Sequence, residues 1–191
     1  MGIERARVVE VHAGDGAAAR AGSGYQIDGR LVLTSAGVVG RSASVEVRPT
    51  GTGTWVPATV VWRGEAAVLE VSDPGALTLS PRTLRWGEVV GPRPVAVVAL
   101  GFGPANGSRQ WARDPEHWSG RLSADGAVQS EAGGMPGAAL FAGAELVGVL
   151  AGGPRAVLVG GLAADRAFVD LVGEVPLSRV ETPDAAFPIL P

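Results

Sequence analysis

The chain has 191 residues, of which 46% are hydrophobic and 18% charged, and its formal net charge is -3. That balance excludes a disordered or collagen-like chain and points to a globular protein with one large or two small cores. With no Lys and no cluster of Arg, nothing in the sequence neutralises a row of phosphates, so no nucleic-acid partner is expected.

The N-terminal MGIERARVVEVHAG carries charges at positions 4, 5 and 7, unlike a secretory signal. No later run approaches the roughly 18 apolar residues of a membrane span. Together with the absence of Cys, this sets the expectation of a cytoplasmic protein with no membrane partner. Gly and Pro are scattered through the chain rather than concentrated, which favours many short strands joined by tight turns, an all-β fold.

A first strand is predicted at 7–11, then a hairpin over 22–36, with Tyr25 and Ile27 alternating before an Asp28-Gly29 turn and a return through Leu31 and Leu33. Strands at 44–48, 55–62 and 66–71 complete an N-terminal unit over 1–72. The turn-forming stretch 73–86 serves as a crossing segment. A second unit over 87–162 holds strands at 87–90, 94–101, 120–122, 138–141, 145–151 and 157–160. AADRAFVDLV, within 163–174, has partly helical apolar spacing with Gly173 as its stop, and 175–191 reads as a linker-like tail.

Three segments in this order resemble the trypsin-like serine peptidases of the chymotrypsin fold. GSGYQIDGRLVLTSAGVV is similar to that family's Gly-rich strand, second strand and Thr-Ala-Ala-His, with Gly37 at the histidine position. WRGEAAVLEV looks like Asp-x-Ala-Leu-Leu with Glu65 at the aspartate, and GGMPGAALFAGAELVGVLAGG looks like Gly-x-Ser-Gly-Gly-Pro with Pro136 at the serine. The resemblance spans roughly residues 5–173 and implies a chymotrypsin/trypsin-like double β-barrel with a C-terminal helix and a cleft between the barrels. A closed barrel also leaves no strand edge exposed.

In that mechanism a hydroxyl attacks, an imidazole takes its proton, a carboxylate orients the imidazole, and backbone N–H groups hold the oxyanion. The matching positions here carry Pro136, Gly37 and Glu65, and the oxyanion region falls on Gly134 and Pro136. Proline offers no hydroxyl and no N–H, so one residue removes two contributions. Losing triad members costs on the order of a million-fold in turnover. The ring also restricts Met135 before it, so the surrounding loop is expected to have been reshaped.

The remaining candidates are weaker. His12 and His117 lie in no motif and read as structural histidines, and two His without Cys give no metal site. Thr34 and Ser35 belong to a buried strand end with no base beside them. Ser130, six residues before Pro136, matches the base of the family's primary specificity pocket. The polar loop over 101–120 carries Trp111 and Trp118, which read either as lids on the second barrel or as anchors for a partner. Its GFGPANG is not a phosphate loop, having no following helix and no Lys.

Two functions follow from the resemblance. One is a non-catalytic pseudoprotease that binds another protein or an adjoining domain, without a cofactor, as N-terminal modules of bacterial multidomain signalling or conflict-response proteins do. The other is a serine-peptidase-like hydrolase with a rearranged site that borrows His117 or a partner's residues.

Overall fold

A computed structural model describes residues 3–15, 19–77, 83–103, 113–130 and 134–182. Its first unit is a closed barrel of β1 (Val8–Ala13), β2 (Arg20–Gln26), β3 (Leu31–Ser35), β4 (Val45–Pro49), β5 (Val56–Arg63) and β6 (Ala66–Val71), in the spatial order β1-β2-β3-β6-β5-β4. The Asp28-Gly29 turn sets the β2–β3 register, pairing Tyr25 with Leu33, as the alternation requires. Val9, Val11, Val32, Val47 and Leu69 fill the barrel. At Gly24 a Cβ would sit 2.6 Å from Val32 Cγ1, so glycine leaves room for these branched side chains.

The second unit is a sheet ordered β10-β9-β8-β11-β12-β7-β14, with β13 also pairing β12. Its strands are β7 (Arg85–Val89), β8 (Val95–Gly101), β9 (Glu116–Leu122), β10 (Val128–Gln129), β11 (Ala139–Ala142), β12 (Glu145–Leu150), β13 (Ala156–Leu158) and β14 (Leu177–Val180). One core fills this sheet around Val97, Leu122, Leu140 and Val147. Another joins the two units, bringing Tyr25 and Leu33 of the barrel against Phe102, Phe141 and Leu146 of the sheet and Phe168 of the C-terminal helix. Burying both faces this way fits the double-barrel expectation and fixes the two units against each other.

Three expectations change. The helix expected over 163–174 starts earlier and is broken, into α2 (Val159–Ala164) and α3 (Arg166–Val172). Asp165, extended between them, ends the first and caps the second, its carboxylate accepting from Phe168 N at 3.1 Å. The tail expected over 175–191 is not all linker, because Leu177–Val180 is a strand paired parallel to β7. A parallel partner so distant in sequence leaves no local signal. β9 is also longer than the expected 120–122, which moves His117 from a loop onto a strand, paired with Leu100. Among the described residues no helix is long and apolar enough to cross a membrane.

Tyr25 is 2% exposed, packs edge-on to Phe141 at 5.1 Å and accepts a hydrogen bond from Glu4 N at 3.2 Å. Burial pushes its phenol above the ordinary value. The unfolded chain therefore loses this proton first as pH rises, so stability is full below about 10 and falls as pH climbs toward the raised native value. With one Tyr, no Lys and no Cys, Tyr25 dominates that window. Urea titrations across it are expected to show declining stability for the wild type and a flat profile for Tyr25→Phe. A decline of the same size in Tyr25→Phe would refute the assignment.

Candidate functional site

The three segments singled out in the sequence meet where the barrel faces the second sheet. β3 ends at Ser35, whose Oγ accepts from Val38 N at 3.3 Å and so caps the single helical turn α1 (Ala36–Val39). Ala36 N donates to Glu65 O at 3.2 Å, which ties this turn to the start of β6. Gly37 lies exposed on α1, where a Cβ would sit 3.3 Å from Ala151 O and 3.6 Å from Ser35 Oγ.

The residues around Pro136 form a β-turn. Ala138 N donates to Met135 O at 3.0 Å, Pro136 follows Met135, and Gly137 has φ of 83°. This is the signature of a type II turn, with Pro presetting the first central φ and Gly supplying the positive one. Proline suits this turn, which is hydrogen-bonded around it. Gly137 N donates to Leu150 O at 2.8 Å, and Pro136 O accepts from Ser23 N at 2.7 Å.

Ser23, which the sequence did not single out, is the hinge of this junction. Its hydroxyl accepts from Phe102 N at 2.7 Å and donates to Phe102 O at 3.2 Å, and its carbonyl accepts from Thr34 Oγ1 at 2.7 Å. Both Ser23 and Thr34 are fully buried, so their hydroxyls are occupied in joining β2, β3 and the end of β8 to the Pro136 turn. Gly22 beside it is required by close approach, since a Cβ there would fall 2.6 Å from both Pro136 O and Val38 Cγ2.

The other candidates scatter. The Glu65 side chain is exposed and lines an open pocket of about 430 Å³ together with Trp62, Asp125, Arg155, Leu162 and Asp165. Gly134 is half-buried, and a Cβ on it would be 3.8 Å from the nearest backbone atoms, those of Gly153. Ser130 is exposed and donates to Ser119 O at 3.0 Å. His12 is buried, edge-on to Trp55 at 5.8 Å, and His117 is exposed on β9. No imidazole lies within 4 Å of the Cβ position on Gly37 among the described residues.

Trp118 is corrected as a partner anchor. It is 4% exposed and packs in the core of the second sheet, because β9 turns it inward where a loop would have left it free. Trp111 lies outside the described residues.

What the site offers chemically is a hydrogen-bonded turn and a one-turn helix that both lie against Gly22 of β2. Arg20 of β2 reaches into it, donating from Nη1 to Gly37 O at 2.9 Å. No local signal singles out this arginine, since the contact crosses from β2 to α1.

No family model matches the chain, and no curated protein matches it in sequence. Solved structures do. The inactive mutant form of Rv3671c from M. tuberculosis H37Rv is 19% identical, with a TM-score of 0.62 and 90% of each chain covered. The active form of the Rv3671c protease from M. tuberculosis is 18% identical, with a TM-score of 0.61, covering 91% of this chain and 84% of that one. The fold is thus that of a trypsin-like double barrel.

Proposed function

We propose that this chain is a non-catalytic binding module built on a trypsin-like protease fold, which engages another protein or an adjoining domain through the surface around Gly37 and Pro136. One observation carries the reading: in the hydrogen-bonded Met135-to-Ala138 turn, the position that the resemblance gives to the nucleophile is occupied by proline. A proline there has neither the hydroxyl that attacks nor the N–H that holds an oxyanion. Gly37 likewise offers no proton acceptor. The exposed Gly37 and the half-buried Pro136 remain as a surface for contacts.

The test has two arms. The whole chain is expected to hydrolyse neither peptide nor ester substrates and to take no label from a fluorophosphonate, which reacts only with an activated hydroxyl. In capture from the native cell extract, the wild type is expected to retain a defined protein that Gly37→Trp, filling the space beside α1, releases. Stoichiometric labelling of one serine would overturn the proposal in favour of a hydrolase with a rearranged site.

A further inference from the structure

Two arginines from separate strands converge on Gly40, directly after α1. Arg20 of β2 donates to Gly37 O, and its guanidinium packs against Gly40, with Nη1 2.9 Å and Cζ 3.2 Å from where a Cβ would stand. Arg63, the last residue of β5, donates from Nη1 to Gly40 O. Arg41 adjoins them in sequence, and all three side chains belong to exposed residues.

Their surroundings do not neutralise them. Arg5, Arg30, Arg48 and Arg85 each pair with a carboxylate, but among the described residues Arg20, Arg41 and Arg63 have none, and Glu65, two positions after Arg63, makes no ion pair. The partners that Arg20 and Arg63 have are carbonyl oxygens, which hold a guanidinium in place without cancelling its charge. Each guanidinium carries five N–H donors in a planar fork, so most of them remain directed at solvent. A chain of net charge -3 thus keeps a preorganised cationic spot at the edge of the Gly37 surface.

We infer that Arg20 and Arg63 form a carboxylate-binding site and that the occupant is an acidic segment of a protein partner. This rests on the binding-module reading and gives that partner a chemistry. Forked guanidinium groups match carboxylates bidentately. Two or three cations neutralise too few phosphates to hold a nucleic-acid backbone, and they fall short of the four to eight that mark a lipid-headgroup surface.

The probe is a fluorophore-labelled oligoglutamate peptide, with binding to the whole chain read by anisotropy at low and at physiological salt. The wild type is expected to bind, more weakly as salt rises. The double variant Arg20→Gln, Arg63→Gln is expected to bind about tenfold more weakly or worse, whereas Arg30→Gln, which removes an exposed arginine paired with Glu70, stays within about twofold. If the double variant does not fold, Arg63→Gln alone carries the same comparison. The inference is overturned by equal binding of wild type and variant, by no binding of the wild type at low salt, or by tighter binding of a labelled oligothymidylate. Because anisotropy reads no turnover, these results leave the non-catalytic reading standing, and fluorophosphonate labelling overturns that reading separately.

Discussion

Gly137→Ala is expected to lower the unfolding free energy by about 3 kcal/mol or more, combining a left-handed backbone cost of about 1–2 kcal/mol with an overpacking cost of about 1–3 kcal/mol. Gly137 holds φ at 83°, where side chains are strained, and its Cβ would fall 2.0 Å from Ser23 O and 2.4 Å from Thr34 Oγ1. Neither neighbour can yield cheaply. Ser23 O belongs to the backbone of a buried strand, and Thr34 Oγ1 is held by its bond to that oxygen. Gly51 supplies the control, since it has nearly the same φ, 81°, with nothing within 4 Å of a Cβ. Gly51→Ala should therefore show only the backbone cost in a urea titration. Equal losses for the two variants would mean that the junction relaxes around the methyl group, and that the Pro136 turn is not clamped against β2 as described.

Glu10→Ala is expected to cost about 3–5 kcal/mol, the range found when one partner of a buried ion pair is removed. Glu10 and Arg48 face each other across β1 and β4, with Arg48 Nη2 2.5 Å from Glu10 Oε2 and both side chains almost wholly buried. Arg48 also lies over the Trp55 ring, 4.5 Å from its centroid. The other carboxylate oxygen of Glu10 takes Arg113 Nη1 at 3.1 Å, and Arg113 donates onward to Gly103 O at 3.0 Å. Removing the carboxylate thus takes from the buried Arg48 the charge that faces it across the strands and cuts a link from the barrel to the segments flanking β8 and β9. Replacing the pair together, Glu10→Leu with Arg48→Met, should lose much less, because no charge remains buried alone. Chemical denaturation of both variants decides the matter. A double variant as unstable as the single one would show that packing, not the lost ion pair, sets the cost.

Much of the strand pattern was legible locally. The 66–71 segment forms the strand expected, and the Asp28-Gly29 turn fixes its hairpin, because both signals sit within a few residues. The three ordered segments also led to the double barrel, in which α1, which carries Gly37, and the Pro136 turn both lie against Gly22 of β2. The sequence could not show how their side chains would be used. Glu65 opens onto a pocket beside α2, and Arg20, on another strand, occupies the carbonyl of Gly37.

The sequence by itself determined which residues alternate, where the chain turns, and that Pro136 and Gly137 stand together in one turn, since each of these is set by residue type within a few positions. Tertiary structure alone decided the rest. It buried all six residues of β1, including Glu10 and His12 on the face that alternation assigns to solvent, where Arg113 of the second unit meets Glu10 and Trp55 lies against His12. It turned Trp118 inward, ended α2 at Asp165 and drew Leu177–Val180 alongside β7. Each of these depends on a partner distant along the chain, and the free energy of such a contact exists only once the fold has brought the two together.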